Sequence, residues 1–137
     1  MCGIVGTFGG NTELIQNACE AISHRGPDDS GIFVSDKINI ALGHQRLSIL
    51  DLSDLGHQPM FSNDKKVVIV FNGEIYNFNE LRSSLEKEGY IFKGNSDTEV
   101  LLNLYLAYGK KMLSQLNGIF AFAILDISSE TLFVARD

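Results

Sequence analysis

Hydrophobic residues along this chain come in short blocks whose spacing switches between two and about three and a half residues. Ile4 to Phe8 reads as a strand that ends at Gly9-Gly10. Asn11 or Thr12 then stands where a helix cap belongs, ahead of an apolar stripe of Leu14, Ile15, Ala18, Cys19 and Ile22. Gly31 to Val34 and Asn39 to Leu47 read as paired strands around a turn near Asp36-Lys37. Val67 to Phe71 is uninterrupted apolar sequence, suited to a strand buried on both faces. Asn77-Phe78-Asn79-Glu80 opens a helix with Leu81 and Leu85 inward, which Gly89 closes. Ser96-Asp97-Thr98-Glu99 has the form of a capping box, followed by Leu101, Leu102, Leu104, Tyr105 and Tyr108. After a short turn over Met112 to Leu116, Phe120 to Leu125 and Leu132 to Ala135 read as an antiparallel hairpin. Helices clustered between strand pairs predict a layered α+β domain rather than strict βαβ winding.

Composition narrows the class. At 137 residues, 45% of them hydrophobic and only two proline, the chain suits one folded domain with a single core. A net charge of −6 disfavours nucleic acid or an anionic membrane as partner. No run of about 18 apolar residues suggests a membrane span, and the start lacks the features of a signal peptide. Two cysteines in such different settings do not form a disulfide framework, so the cytoplasm is the expected location. Cys19 belongs to a helix stripe and reads as core.

Cys2 is the residue with the most chemistry. Removing Met1 would give it a free α-amine beside its thiol. An unperturbed thiol ionises near pH ~8.5 and an α-amine near ~8, so one residue would carry both nucleophile and base. Gly3 leaves room beside the sulfur, and Ile4-Val5 would anchor the terminus in a core. Asn72-Gly73-Glu74 follows the buried run, where an amide and a glycine N–H are suitable donors to a developing oxyanion. Taken alone, Asn-Gly is more often a hairpin turn. Arg46, among apolar neighbours, needs a carboxylate partner, which is usually a structural one. Asp97, just inside a helix start, is explained from spacing alone by the helix dipole.

Other clusters are weaker. His24, Asp28 and Asp29 lack a second ligand set with metal spacing, and Arg25-Gly26-Pro27-Asp28 reads as a rigid turn. Ser48, His44, His57 and Asp51 include triad residue types without a nucleophile elbow. No phosphate-binding glycine loop is present.

Five segments in order carry a resemblance: Met1-Cys2-Gly3-Ile4-Val5-Gly6, His24-Arg25-Gly26-Pro27-Asp28, Gly43-His44-Gln45-Arg46-Leu47-Ser48-Ile49, Asn72-Gly73-Glu74-Ile75-Tyr76-Asn77 and Ser96-Asp97-Thr98-Glu99. Together they resemble the glutaminase domain of class-II glutamine amidotransferases, which have the N-terminal-nucleophile hydrolase fold. Within that family, Arg46 to Asp51 and Gly73 to Asn77 are most similar to the glutaminase half of glutamine-hydrolysing asparagine synthetases. The resemblance implies a four-layered αββα sandwich over residues 1–137 and hydrolysis of the glutamine side-chain amide. It implies Cys2, Asn72 and Gly73 as the catalytic set. Arg46, Leu47, Ser48, Ile49, Leu50, Asn72, Gly73, Glu74 and Asp97 would bind L-glutamine. It implies no metal or cofactor for the glutaminase reaction, ATP and Mg serving only a separate synthetase domain or subunit that receives the ammonia. Because the family's pattern continues past Ala135-Arg136-Asp137, the resemblance implies a domain short of some strands, with open sheet edges and a tendency to self-associate. A non-catalytic glutamine-binding or interaction module, or the glutaminase of another amidotransferase, is the alternative.

Overall fold

The computed structural model describes residues 2–9, 11–48 and 54–137. Strands β1 (Gly3–Phe8), β2 (Asp29–Ser35) and β3 (Ile40–Arg46) form one antiparallel sheet in the order β1-β3-β2. Strands β4 (Met60–Phe61), β5 (Val67–Ile75), β6 (Gly118–Asp126) and β7 (Thr131–Arg136) form a second, in chain order. Helix α1 (Thr12–Ala21) covers the first sheet, and α2 (Phe78–Lys87) and α3 (Asp97–Tyr108) lie on the side of the second.

Strand alternation sorts the apolar residues into three cores, and these define four layers. Ile40 and Leu42 of β3 meet Val68 and Val70 of β5 and Leu125 of β6 between the sheets. Val67, Ile69, Phe71 and Ile75 point the other way, into Leu81, Leu85, Val100, Leu101 and Leu104 of α2 and α3. Ile15, Cys19 and Ala41 fill the space under α1. The result is an αββα sandwich. Burying each of these large side chains contributes roughly 1.5–3 kcal/mol before entropy is counted.

Gly43 sets how closely α1 approaches. A Cβ there would lie 2.3 Å from Cys19 Sγ and 3.3 Å from Ile15 Cδ1. The buried helix face is correspondingly narrow: Leu14, assigned to the stripe by sequence, is 50% exposed, because it lies off the line of Ile15 and Cys19.

Two caps differ from their sequence pattern. Asn11 caps α1 through Leu14 N–H as expected. Asn77 occupies the cap position of α2 but uses its side chain elsewhere, donating to Gln115 O and accepting from Asn117 N–H. Ser96 accepts from Glu99 N–H, while the Glu99 carboxylate reaches further upstream to the N–H groups of Lys93 and Gly94. Glu99 thus ties the preceding loop to α3 as well as serving the box.

Candidate active site

β5 does not end at Phe71. Asn72 and Gly73 continue in register opposite Ala121 and Phe120 of β6, so the pair forms no hairpin turn. Gly73 has φ +152°, and a Cβ there would lie 2.2 Å from Ile119 O across the strand pair. No other residue fits so close a cross-strand approach without displacing β6.

Hydrogen bonding along β5 follows a strict alternation. Tyr76 N–H bonds towards the β6 side, at Asn117 O. Phe71 and Ile75, of the opposite parity, bond outward: Phe71 N–H to Gln58 Oε1 at 2.6 Å and Ile75 N–H to Asp97 Oδ2 at 3.1 Å. Gly73 lies midway between these two and shares their parity. Its N–H therefore faces the open edge, where a cavity of about 150 Å³ lies.

The cavity draws its walls from both sheets and from α3. Cys2 and Arg46 come from the ends of β1 and β3, Gly73 and Glu74 from β5, and Asp97 from the first turn of α3. Cys2 is partly buried, and its sulfur accepts from Leu47 N–H at 3.3 Å. Arg25 Nε donates to Cys2 O at 3.3 Å, which fixes the backbone behind the thiol. Arg46 is 8% exposed, its guanidinium laid over Gly56, where a Cβ would come within 2.2 Å. Asp97 is 5% exposed, and burial holds its carboxyl above the usual carboxylate range against the pull of backbone N–H groups, with Glu74 adding a smaller upward push. The cavity wall thus carries one guanidinium and two carboxylates.

Of the residues predicted from sequence, Cys2, Arg46, Leu47, Gly73, Glu74 and Asp97 line this one cavity. Ser48 adjoins it through a bond from its N–H to Asp28 Oδ2, and lines a neighbouring space with Arg46. Asn72 is not among the lining residues. It lies on the β5 face shared with Val68 and Val70, and its Oδ1 is shut off from solvent without a partner among the described residues. Ile49 and Leu50 lie outside the described residues.

Sequence reasoning missed several supporting residues. The turn at Arg25-Gly26-Pro27-Asp28 packs Gly26 against β3, where a Cβ would be 2.4 Å from Gln45 O, and so delivers Arg25 and Asp28 to the site. Gln58, buried beside Pro59, reaches both Phe71 N–H and Thr98 Oγ1. His44 is fully buried, with Nε2 3.1 Å from Phe71 O. The echo between Gly43-His44-Gln45 and Gly56-His57-Gln58 was the available signal, but nothing in it told which side chains turn inward. His57 Nδ1 meets Asp29 Oδ2 at 2.6 Å on the surface. No group of three or more His, Cys, Asp or Glu side chains suited to a metal occurs among the described residues.

A buried carboxylate at a helix start, an arginine and a thiol thus share one cavity of an αββα sandwich. The chain belongs to the glutamine amidotransferase domain family, whose match covers residues 1–137. It is 43% identical over its whole length to asparagine synthetase [glutamine-hydrolyzing] 1 of Bacillus subtilis, and 41% identical to asparagine synthetase B [glutamine-hydrolyzing] of Escherichia coli. It spans 22% and 25% of the length of those relatives. Among solved structures, glutamine phosphoribosylpyrophosphate amidotransferase from B. subtilis, complexed with ADP and GMP, superposes with a TM-score of 0.84 at 27% identity. That match covers 99% of this chain and 37% of the other. No helix among the described residues is long and apolar enough to cross a membrane.

Proposed function

We propose that this domain hydrolyses the side-chain amide of L-glutamine through Cys2. The observation that carries the reading is the placement of the Cys2 thiol in one cavity with the outward edge of Gly73, the Arg46 guanidinium and the Asp97 carboxylate. A free amino acid is a zwitterion. Arg46 would take its α-carboxylate, and Asp97 with Glu74 its α-ammonium, leaving the side-chain amide to reach the sulfur.

With Met1 removed, the Cys2 α-amine accepts the thiol proton as sulfur adds to the amide carbon. The oxyanion so formed is stabilised by Gly73 N–H and by the Nδ2 donor of the Asn72 amide. Ammonia leaves with the proton returned from the amine, and a thioester remains. Water then attacks the thioester, giving glutamate and restoring the thiol. Leu47 N–H, already directed at the sulfur, stabilises the thiolate in both half-reactions. These roles for Asn72 and Arg46, and for Ser48, Ile49 and Leu50 as backbone contacts, rest on the family resemblance.

The relatives are named as glutamine-hydrolysing asparagine synthetases, which supports a further step: ammonia passed to a synthetase domain or subunit that forms asparagine. The use of ATP and Mg by that part, and a cytoplasmic location, rest on the family resemblance. Residues 1–137 then act as the glutaminase domain of that activity and need no metal or cofactor for the hydrolysis.

The test is glutamine hydrolysis by protein whose mass shows that Met1 is gone. Cys2→Ala should abolish turnover. Cys19→Ala should retain it, because Cys19 is buried under α1 and its main-chain O, which accepts from Gln45, is unaltered by the substitution. Equal loss in both folded variants would sink the assignment of Cys2 as nucleophile.

A further inference from the structure

Phe71 immediately precedes Asn72 and Gly73, and its main-chain N–H and C=O are both held by side chains. Gln58 stands where a neighbouring strand would otherwise continue, and His44 reaches across from the first sheet. β4 pairs with β5 only at Met60↔Ile69 and Phe61↔Val68. Pro59 precedes Met60, and the strand pairing stops there. Gln58 supplies the next contact with its side chain: Oε1 accepts from Phe71 N–H at 2.6 Å, and Nε2 donates to Thr98 Oγ1 at 3.1 Å. From the opposite sheet, His44 Nε2 lies 3.1 Å from Phe71 O. A carbonyl only accepts, so Nε2 carries the proton, and Nδ1 is left buried without a partner among the described residues. A neutral ring is the form such a place permits, and burial pushes the His44 pKa down to about 4.

Two side chains, His44 of β3 and Gln58, itself tied to Thr98 of α3, therefore hold the main chain of one residue, two positions from Gly73. Hydrogen-bonding the N–H and the C=O of one residue fixes the two peptide planes on either side of the Phe71 Cα. The second of them, Phe71–Asn72, directly precedes the Asn72–Gly73 peptide that carries the glycine N–H. We propose that His44 and Gln58 are positioning residues that hold the outward edge of β5 in the geometry that stabilises the oxyanion. The proposal rests on the glutaminase reading above. His44 does not line the cavity; Gln58 does, with both ends of its amide already bonded to Phe71 N–H and Thr98 Oγ1, and the charged ends of the substrate belong to Arg46 and Asp97. Donor geometry matters more to the tetrahedral state than to bound glutamine, so loss of the clamp lowers kcat and leaves binding intact.

Three variants test it: His44→Leu, which removes the donor; His44→Gln, which restores an N–H donor; and Gln58→Met, which leaves Phe71 N–H unpaired. Each is assayed for kcat and KM, and for affinity towards the aldehyde analogue of glutamine, which adds to the Cys2 thiol as a tetrahedral hemithioacetal. The expected result for His44→Leu is a fall in kcat of roughly 10- to 100-fold, part of the ~10²–10³ that loss of a whole oxyanion donor costs. KM should stay within about twofold, the aldehyde affinity should fall in parallel with kcat, and His44→Gln should recover part of both. Wild-type kcat in folded His44→Leu, or a loss carried by KM alone, overturns the proposal. If His44→Leu does not fold, Gln58→Met decides from the N–H side of the same residue: a parallel fall in kcat and aldehyde affinity supports the clamp, and unchanged kcat overturns it. If the unsubstituted protein turns over no glutamine and Cys2→Ala changes nothing, the glutaminase reading itself has failed, an outcome distinct from an active enzyme indifferent to His44.

Discussion

Two buried ionisable side chains affect the stability of this domain with opposite sign. His44 titrates near 6.5 when unfolded and at about 4 when folded. Between those values the unfolded chain binds the extra proton, so stability is full above pH ~6.5 and falls as the pH drops towards ~4, by at most about 3 kcal/mol. Denaturant melts at a series of pH values should show this slope, and subtracting the His44→Gln curve should isolate it. Asp97 works the other way. Burial holds its carboxyl above the ordinary range, so at neutral pH the folded state carries a charge it would shed, and that penalty fades as the pH falls through the folded pKa. Asp97→Asn should therefore stabilise the unliganded protein while weakening glutamine binding by ~2–5 kcal/mol. Thermal melts paired with calorimetric titration check both halves. A variant that is less stable yet binds normally would make Asp97 a structural residue.

At the scale of elements, two glycines decide what can lie next to what. Gly73 keeps β5 straight past its apolar run, so that three outward positions in a row serve Gln58, the cavity and Asp97. Gly73→Ala puts a methyl 2.2 Å from Ile119 O, and should cost both stability and nearly all turnover, as a melt and an activity assay on one preparation would show. Gly43 plays the packing counterpart under α1. Gly43→Ala collides first with Cys19 Sγ at 2.3 Å, so it should destabilise by roughly 1–3 kcal/mol. Cys19→Ala added to it should recover part of that loss, although Val5 Cγ2 at 3.1 Å keeps recovery incomplete. Additive losses in the double variant would show that the sulfur is not what Gly43 accommodates.

The whole molecule brings together a site that no single layer contains. Cys2 and Arg46 belong to one sheet, Gly73 and Glu74 to the other, and Asp97 to a helix outside both. A ligand that touches all of them binds only the assembled sandwich, so it must stabilise the fold as a unit. Glutamine at 100 times its dissociation constant should raise unfolding free energy by about 2.7 kcal/mol, in one cooperative transition. Measured on Cys2→Ala to prevent turnover, the shift should vanish in Arg46→Ala. A shift confined to one of two separated transitions would mean that the sheets do not unfold together.

Periodicity alone determined most of the elements here, because each layer buries one face and the apolar spacing records which face that is. The capping residues Asn11 and Ser96, the doubly buried Val67–Phe71 run and the final hairpin all follow from local rules. Cys2 was legible for a chemical reason: a thiol at a potential N-terminus has few uses. The tertiary structure alone decided the rest. Asn72-Gly73 was ambiguous with a hairpin turn, because both readings satisfy the local backbone and only pairing with Ala121 and Phe120 separates them. Leu14 faces outward because α1 rests on a strip only as wide as Gly43 allows. His44 and Gln58 act on the main chain of a residue 27 and 13 positions further along. Contacts of that kind leave no period in a sequence, since a hydrogen bond across layers depends on how the sheets stack and not on the residues beside the donor.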